Sequence, residues 1–86
     1  MLTEEEIDNL WKEKGNKFFH ETLPDVIEWK CTFWDYLWGR WETVVVKSNS
    51  CQRAERYIEH HYSCSDLRAY PNTSRGREAS LRAYFD

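Results

Sequence analysis

Residues 29–46 have the sequence WKCTFWDYLWGRWETVVV and contain four of the five tryptophans in the 86-residue chain. Large aromatic side chains bury about 150–250 Å² each when they pack, so this segment dominates the apolar surface available for a core. It also carries more apolar surface than one side of a sheet can bury. We therefore expect it to organise the fold and to leave an aromatic surface for contact with a partner.

The apolar pattern changes within this segment. Apolar and polar residues alternate over residues 27–33, which predicts a half-buried strand. From Trp34 the pattern changes. The even-numbered positions, which are polar from residue 28 to residue 32, become aromatic at Trp34, Tyr36 and Trp38, and Leu37 is apolar at an odd-numbered position. The second half of the segment therefore places apolar side chains on both faces.

A hairpin is predicted at this change of pattern. Gly-Arg at residues 39–40 suits a two-residue turn, because a type II′ turn favours Gly at its first central position, and this turn pairs Trp38 with Trp41. A β-bulge near residues 34–35 would instead bring both apolar parities onto one core face. A longer loop over residues 35–40 is a third possibility, and the sequence does not choose among them.

Helices are predicted on both sides of the hairpin. Thr3 and Glu6 form a capping-box pattern, and apolar residues recur near helical spacing as far as Phe18, which predicts a helix over about residues 4–21. An amphipathic pattern predicts a shorter helix over about residues 50–62.

A second hairpin is predicted near the end of the sequence. Leu-Arg-Ala-Tyr occurs at residues 67–70 and again at 81–84, separated by a segment rich in turn-forming residues. The predicted fold is α+β: an antiparallel sheet of about four strands (two hairpins), with two helices packed on one face, in the order α-β-β-α-β-β. We expect residues 1–86 to form a single compact domain.

The sheet face opposite the helices is the predicted contact surface for a protein partner. Exposed aromatic side chains near arginine have the composition of interface hot spots. The acidic first helix is expected to face a basic surface of the partner, although its carboxylates also suit the helix dipole. The predicted protein-binding residues are Trp34, Tyr36, Trp38, Arg40, Trp41, Tyr70, Tyr84, Glu4, Glu5 and Asp8.

The function expected from these features is that of a small non-enzymatic inhibitor or adaptor. A short chain that begins with Met, has an aromatic core and lacks a catalytic set is typical of phage and mobile-element accessory proteins, including anti-CRISPR and other anti-defence inhibitors. No motif in the sequence identifies such a family. The expected partner is a host or cognate protein, such as a component of a nucleic-acid-handling complex, or a second copy of the chain in a homodimer.

Single-stranded nucleic acid is the alternative ligand, because some small domains stack bases on sheet aromatics. Its predicted contacts are Arg68, Arg75, Arg77 and Arg82. The net charge of −3 and the acidic first helix argue against this ligand, since proteins that bind nucleic acid normally carry the opposite balance.

Catalysis and metal binding have little support in the sequence. There is no Gly-rich phosphate loop, G-x-S-x-G or H-E-x-x-H motif. Cys51, His60, His61 and Cys64 cluster in the chain but lack the closely spaced pairs typical of zinc ligands. We therefore expect no enzymatic activity, no cofactor and no bound metal.

A cytoplasmic location is expected. The acidic first residues do not have the basic and apolar regions of a signal peptide. No apolar run approaches the roughly 20 residues that span a membrane, so no membrane association is expected. Three cysteines leave one unpaired under any disulfide scheme, which favours reduced thiols.

Overall fold

Three strands, two α-helices and one short 3-10 helix make up the computed structural model, which describes residues 2–74. In chain order they are α1 (Glu4–Lys14), the 3-10 helix (Gly15–Phe19), β1 (Ile27–Asp35), β2 (Arg40–Ser48), α2 (Cys51–His61) and β3 (Cys64–Pro71). The α+β class and the two helices are confirmed. The described strands form one antiparallel sheet in the order β2-β1-β3. The predicted fourth strand, around residues 81–84, lies outside the described residues.

Local interactions determine where α1 begins and ends. The Thr3 hydroxyl accepts a hydrogen bond from the Glu6 amide at 3.2 Å, and the Glu6 carboxylate accepts one from the Thr3 amide at 3.4 Å, which completes the predicted capping box. The α-helix ends earlier than predicted, at Lys14. Gly15 adopts a φ of 56°, which interrupts the helix, and the chain continues as the 3-10 helix to Phe19.

α2 has a side-chain cap that the sequence also indicated. The Ser50 hydroxyl accepts a hydrogen bond from the Arg53 amide at 3.1 Å and satisfies one of the free donors at the helix start. The helix then runs to His61, close to the predicted bounds.

The register of the first hairpin differs from the predicted one. Trp34 pairs with Trp41, whereas a two-residue turn would have placed Trp38 opposite Trp41. The connection is therefore a four-residue loop over residues 36–39, so the two-residue turn was wrong and the longer loop is the one observed. The two registers differ by an even number of residues, so the strand residues keep their predicted faces.

Asp35 is the physical reason for the longer loop. Its carboxylate accepts hydrogen bonds from the amides of Leu37 at 2.9 Å and Trp38 at 3.4 Å. Its carbonyl accepts a further bond from the Gly39 amide at 2.8 Å. An aspartate that binds amides two and three residues ahead stabilises a loop that begins directly after it, and Gly39 is the last residue of this loop.

A β-bulge is present, but in β3. Thr32 lies opposite Arg68 while Trp34 lies opposite Ser65, so β3 has one residue more than β1 between these pairs. Asp66, in the extra length, has a φ of 52°. The bulge considered for residues 34–35 is absent, because β1 pairs with β2 without interruption from residue 27 to residue 35.

The core lies between the sheet and both helices. Trp29 is fully buried, and its indole Nε1 donates a hydrogen bond to the Ser48 carbonyl at 2.9 Å. Phe18 joins it to the first helix, with ring centroids 5.7 Å from Trp29 and 5.6 Å from Trp11. The buried apolar residues are Ile7, Phe18, Leu23, Ile27, Trp29, Cys31, Phe33, Val46, Cys51, Ala54, Ile58 and Ala69.

Both helices contribute to this one cluster, so they pack on the same side of the sheet, as predicted. Alternate side chains of β2, beginning with Trp41 and ending with Lys47, are exposed on the other side. We call that side the open face. By strand parity and pairing it consists of Glu28, Lys30, Thr32, Trp34, Trp41, Thr43, Val45, Lys47, Ser65, Arg68 and Tyr70.

Candidate binding surface at the first hairpin

The loop between β1 and β2 presents three consecutive large apolar side chains to solvent. Tyr36 is 64% exposed, Leu37 is 78% exposed and Trp38 is 68% exposed. Single exposed apolar side chains are ordinary on protein surfaces, but a contiguous group marks an interaction site.

The backbone beneath these side chains is held in place. Asp35 is only 3% exposed, and its hydrogen bonds to the loop amides are described above. The Tyr36 amide donates to the Ser63 carbonyl at 2.9 Å, which joins the loop to the segment between α2 and β3. The loop is therefore ordered before binding, which lowers the entropy lost when a partner docks.

Two tryptophans and one arginine extend this apolar group. Trp34 and Trp41 contact each other edge to face, with ring centroids 5.5 Å apart, and Trp41 is 49% exposed. The Arg40 guanidinium carbon lies 5.8 Å from the centroid of the Trp38 ring and also forms an ion pair with Glu42. We call the set at this end of the hairpin the tip surface: Trp34, Tyr36, Leu37, Trp38, Arg40 and Trp41.

The structure thus brings five of the predicted site residues together at one end of the hairpin. Leu37 is the member that the sequence analysis missed. Strand alternation gave it the core parity, but it lies in the loop, where alternation does not apply. The aspartate two residues before Leu37 is the signal that could have revealed the loop, because aspartate side chains often bind the amide two residues ahead in a turn.

Tyr70 lies apart from the tip surface. It pairs with Lys30 on β1, four residues from Trp34, and is half-buried. Its ring contacts Phe19 edge to face at a centroid distance of 6.0 Å. Tyr84 lies outside the described residues.

The predicted acidic residues lie at the other end of the sheet. Glu4 accepts a hydrogen bond from the Ser74 amide at 2.7 Å, beside the beginning of β1. Glu5 is exposed and Asp8 is half-buried on the same helix. Because β1 runs from residue 27 to residue 35, roughly 26 Å at about 3.3 Å per residue, the acidic helix start and the tip surface are separate patches.

The open face carries cations that the sequence analysis did not single out. Lys30 lies on β1 and Lys47 on β2, while Arg68, a predicted nucleic-acid contact, lies on β3. Charged residues at alternate positions of a strand indicate only a solvent-facing side, so the sequence alone could not show that these three share one face. Arg75, Arg77 and Arg82 lie outside the described residues.

The cysteines are buried or half-buried, and their thiols are protonated at neutral pH. Burial raises the pKa of Cys31 to about 12, with a smaller contribution from the negative charge of Glu55. Burial likewise raises the pKa of Cys51, whose sulfur lies 3.5 Å from the Ala69 carbonyl, and that of the half-buried Cys64. A protonated, buried thiol is a poor nucleophile and a poor metal ligand.

Two other features of the described residues bear on function. Residues 2–74 contain no group of three or more His, Cys, Asp or Glu side chains placed to hold a metal ion. Within the same residues, no helix has the length and apolar character that crossing a membrane requires.

Comparison with known proteins adds no relative. No protein-family model, no curated protein and no solved structure matches the chain significantly.

Proposed function

We propose that the chain is a non-enzymatic protein-binding module, an inhibitor or adaptor, and that the tip surface is its anchor. The observation that carries this proposal is the exposure of Tyr36, Leu37 and Trp38, between 64% and 78%, on a loop with an ordered backbone. Rigid aromatic side chains that fill a partner's pocket dominate the energy of most interfaces.

The tip surface also indicates the chemistry of the partner. Leu37 and Trp38 require an apolar cleft, and Arg40 requires an acceptor at its edge. The Arg40–Glu42 ion pair is largely exposed on the arginine side, at 66%, so it contributes about 0–1 kcal/mol and exchanges readily. We therefore propose a host or cognate protein that has an apolar cleft flanked by carboxylates.

A double variant of the tip, Leu37→Ser with Trp38→Ser, tests this proposal. Both side chains point into solvent, so the free energy of unfolding should change by less than about 0.5 kcal/mol for each. Tyr57→Ser is the matched control, because Tyr57 is a 48% exposed aromatic residue on α2. Proteins captured from lysate of the source cells are identified by quantitative mass spectrometry, and the partner is then purified and titrated by calorimetry.

We expect the purified partner to bind the wild-type protein and the Tyr57→Ser variant equally. Its affinity for the tip variant should fall at least thirtyfold, because truncating one hot-spot side chain costs about 2 kcal/mol or more. If a tip variant with a native circular dichroism spectrum binds the partner as tightly as wild type, the tip surface is not the contact. Light scattering that shows a wild-type dimer and a monomeric tip variant would identify a second copy of the chain as the occupant.

A further inference from the structure

Charge is distributed unequally between the two sides of the sheet. α1, which packs into the core on the helical side through Ile7, carries five carboxylates and two lysines. Among residues 2–74, the open face carries the three cations Lys30, Lys47 and Arg68 and one carboxylate, Glu28. The net charge of −3 therefore does not describe the surface that a ligand on the open face would meet.

Strand pairing places these three cations in a diagonal line across the sheet. Lys47 is opposite Glu28 on β1, Lys30 is two residues further along β1, and Arg68 is opposite the residue two further again, Thr32. Diagonal neighbours on one face of a sheet lie about 7–8 Å apart. The line therefore crosses all three strands and suits a short run of phosphates.

An unsatisfied hydroxyl lies beside this line. Thr32 is 5% exposed, and its Oγ1 makes no hydrogen bond within the described part of the chain. A buried polar atom without a partner costs about 1–3 kcal/mol. Arg68 is opposite Thr32 in the strand pairing, so this hydroxyl lies next to the last cation of the line.

Aromatic side chains lie at the end of the same face. Trp34 and Trp41 form their edge-to-face pair two residues beyond Thr32 along the sheet. Bases stack on such side chains without sequence preference, and each stacked base contributes about 1–3 kcal/mol. Cations beside aromatic rings on an open sheet form the combination that single strands require.

We propose that the open face binds single-stranded nucleic acid, with Lys30, Lys47 and Arg68 on successive phosphates and the Trp34–Trp41 pair against the bases. This activity goes beyond the proposed protein contact. The two sites share the Trp34–Trp41 pair, whereas the loop residues Leu37 and Trp38 belong only to the protein contact. The proposed site also differs from the one predicted from the sequence. It shares Arg68 with that prediction and adds Lys30 and Lys47, which the sequence analysis did not select.

Fluorescence anisotropy with labelled 12-nucleotide oligo-dT and oligo-U, from 25 to 200 mM KCl, tests the proposal. Neutralising three phosphates should give a slope of log Kobs against log[KCl] of about −2, at about −0.7 per contact on a single strand. The double variant Lys30→Gln with Arg68→Gln should reduce the slope to about −0.7 and weaken binding at 25 mM KCl at least tenfold.

The matched control is Lys12→Gln with Arg56→Gln. These exposed cations lie on α1 and α2, and the control changes the net charge by the same amount. We expect wild-type affinity and slope from the control. Equal losses in the two double variants would mean that only net charge matters, and the proposal would be overturned.

Two further measurements distinguish this site from the loop residues of the tip surface, and nucleic acid from an acidic protein ligand. The Leu37→Ser/Trp38→Ser variant should bind oligonucleotide like wild type, and its failure to do so would refute a nucleic-acid site that excludes these two loop residues. Polyglutamate should compete much more weakly than unlabelled oligo-dT. Equal competition would assign the face to acidic proteins, and no anisotropy change at 25 mM KCl would rule out the activity.

Discussion

One side chain, Asp35, determines the geometry of the first hairpin. The glycine signal suggested a turn at residues 39–40, and Gly39 does have the positive φ of 62° that favours glycine. The carboxylate of Asp35 nevertheless makes the loop start at residue 36, by accepting hydrogen bonds from the Leu37 and Trp38 amides. The observed loop therefore uses both local signals, with Asp35 satisfying the amides at its start and Gly39 supplying the positive φ at its end.

The buried thiol of Cys31 leads to a prediction about stability at alkaline pH. Its pKa is about 12 in the folded protein, while an unfolded thiol ionises near pH 8.5. Above that pH the unfolded chain holds fewer protons than the folded one, so the free energy of unfolding falls as pH rises. Cys31→Ala removes this titration. The stability difference between wild type and variant should narrow by about 1 kcal/mol from pH 9 to pH 10.

Urea unfolding at pH 7, 9 and 10 measures this difference. Cys64→Ala is the control. Because Cys64 is only half-buried, the difference in free energy of unfolding between wild type and this variant should change less with pH. A gap between wild type and Cys31→Ala that stays constant from pH 7 to pH 10 would show that the thiol ionises equally in the folded and unfolded states.

At the scale of elements, the bulge in β3 reverses which side chains of the strand face the core before and after it. Leu67 packs against the core, and Arg68 has the parity of the open face. The extra residue lets Cys64 also reach the core and Ser65 the open face, which strict alternation over this segment would forbid. The sequence could not reveal the bulge, because the extra residue is recognised only from the pairing of β3 with β1.

Substitutions at Asp66 test the bulge. Its φ of 52° is tolerated by Asp, Asn and Gly but is strained for a β-branched residue. Asp66→Val should lower the free energy of unfolding by about 1–2 kcal/mol, whereas Asp66→Gly should leave it unchanged or slightly higher. Ser65→Val, at the neighbouring position, is the control and should cost less than about 0.5 kcal/mol. Equal effects of valine at both positions would contradict a positive φ at Asp66.

At the scale of the whole molecule, one buried cluster connects every described element. Trp29, on β1, is a fully buried member of this cluster, while Trp38 is 68% exposed at the tip. The two tryptophans therefore play different roles within the same hairpin. Trp29 packs against Phe18 of the 3-10 helix, and Trp38 is available to a partner.

Unfolding experiments can distinguish these two roles. Trp29→Phe removes ring volume and leaves the Ser48 carbonyl without its indole donor, so it should cost about 2–3 kcal/mol. Trp38→Phe should cost less than about 0.5 kcal/mol. Urea transitions followed by circular dichroism and by fluorescence should coincide for a single cooperative core. Separate transitions, or equal costs for the two variants, would contradict this architecture.

The sequence by itself determined the α+β class, the starts of both helices and the core parity of β1. Each of these depends on residues a few positions apart: the Thr3–Glu6 capping box, the Ser50 cap and the alternation over residues 27–33. Only the tertiary structure decided the four-residue loop, the bulge in β3, the distance between the acidic helix and the tip, and the line of cations across the open face. These features depend on which residues of separate strands lie opposite each other, and pairing between distant segments is not recorded in local spacing.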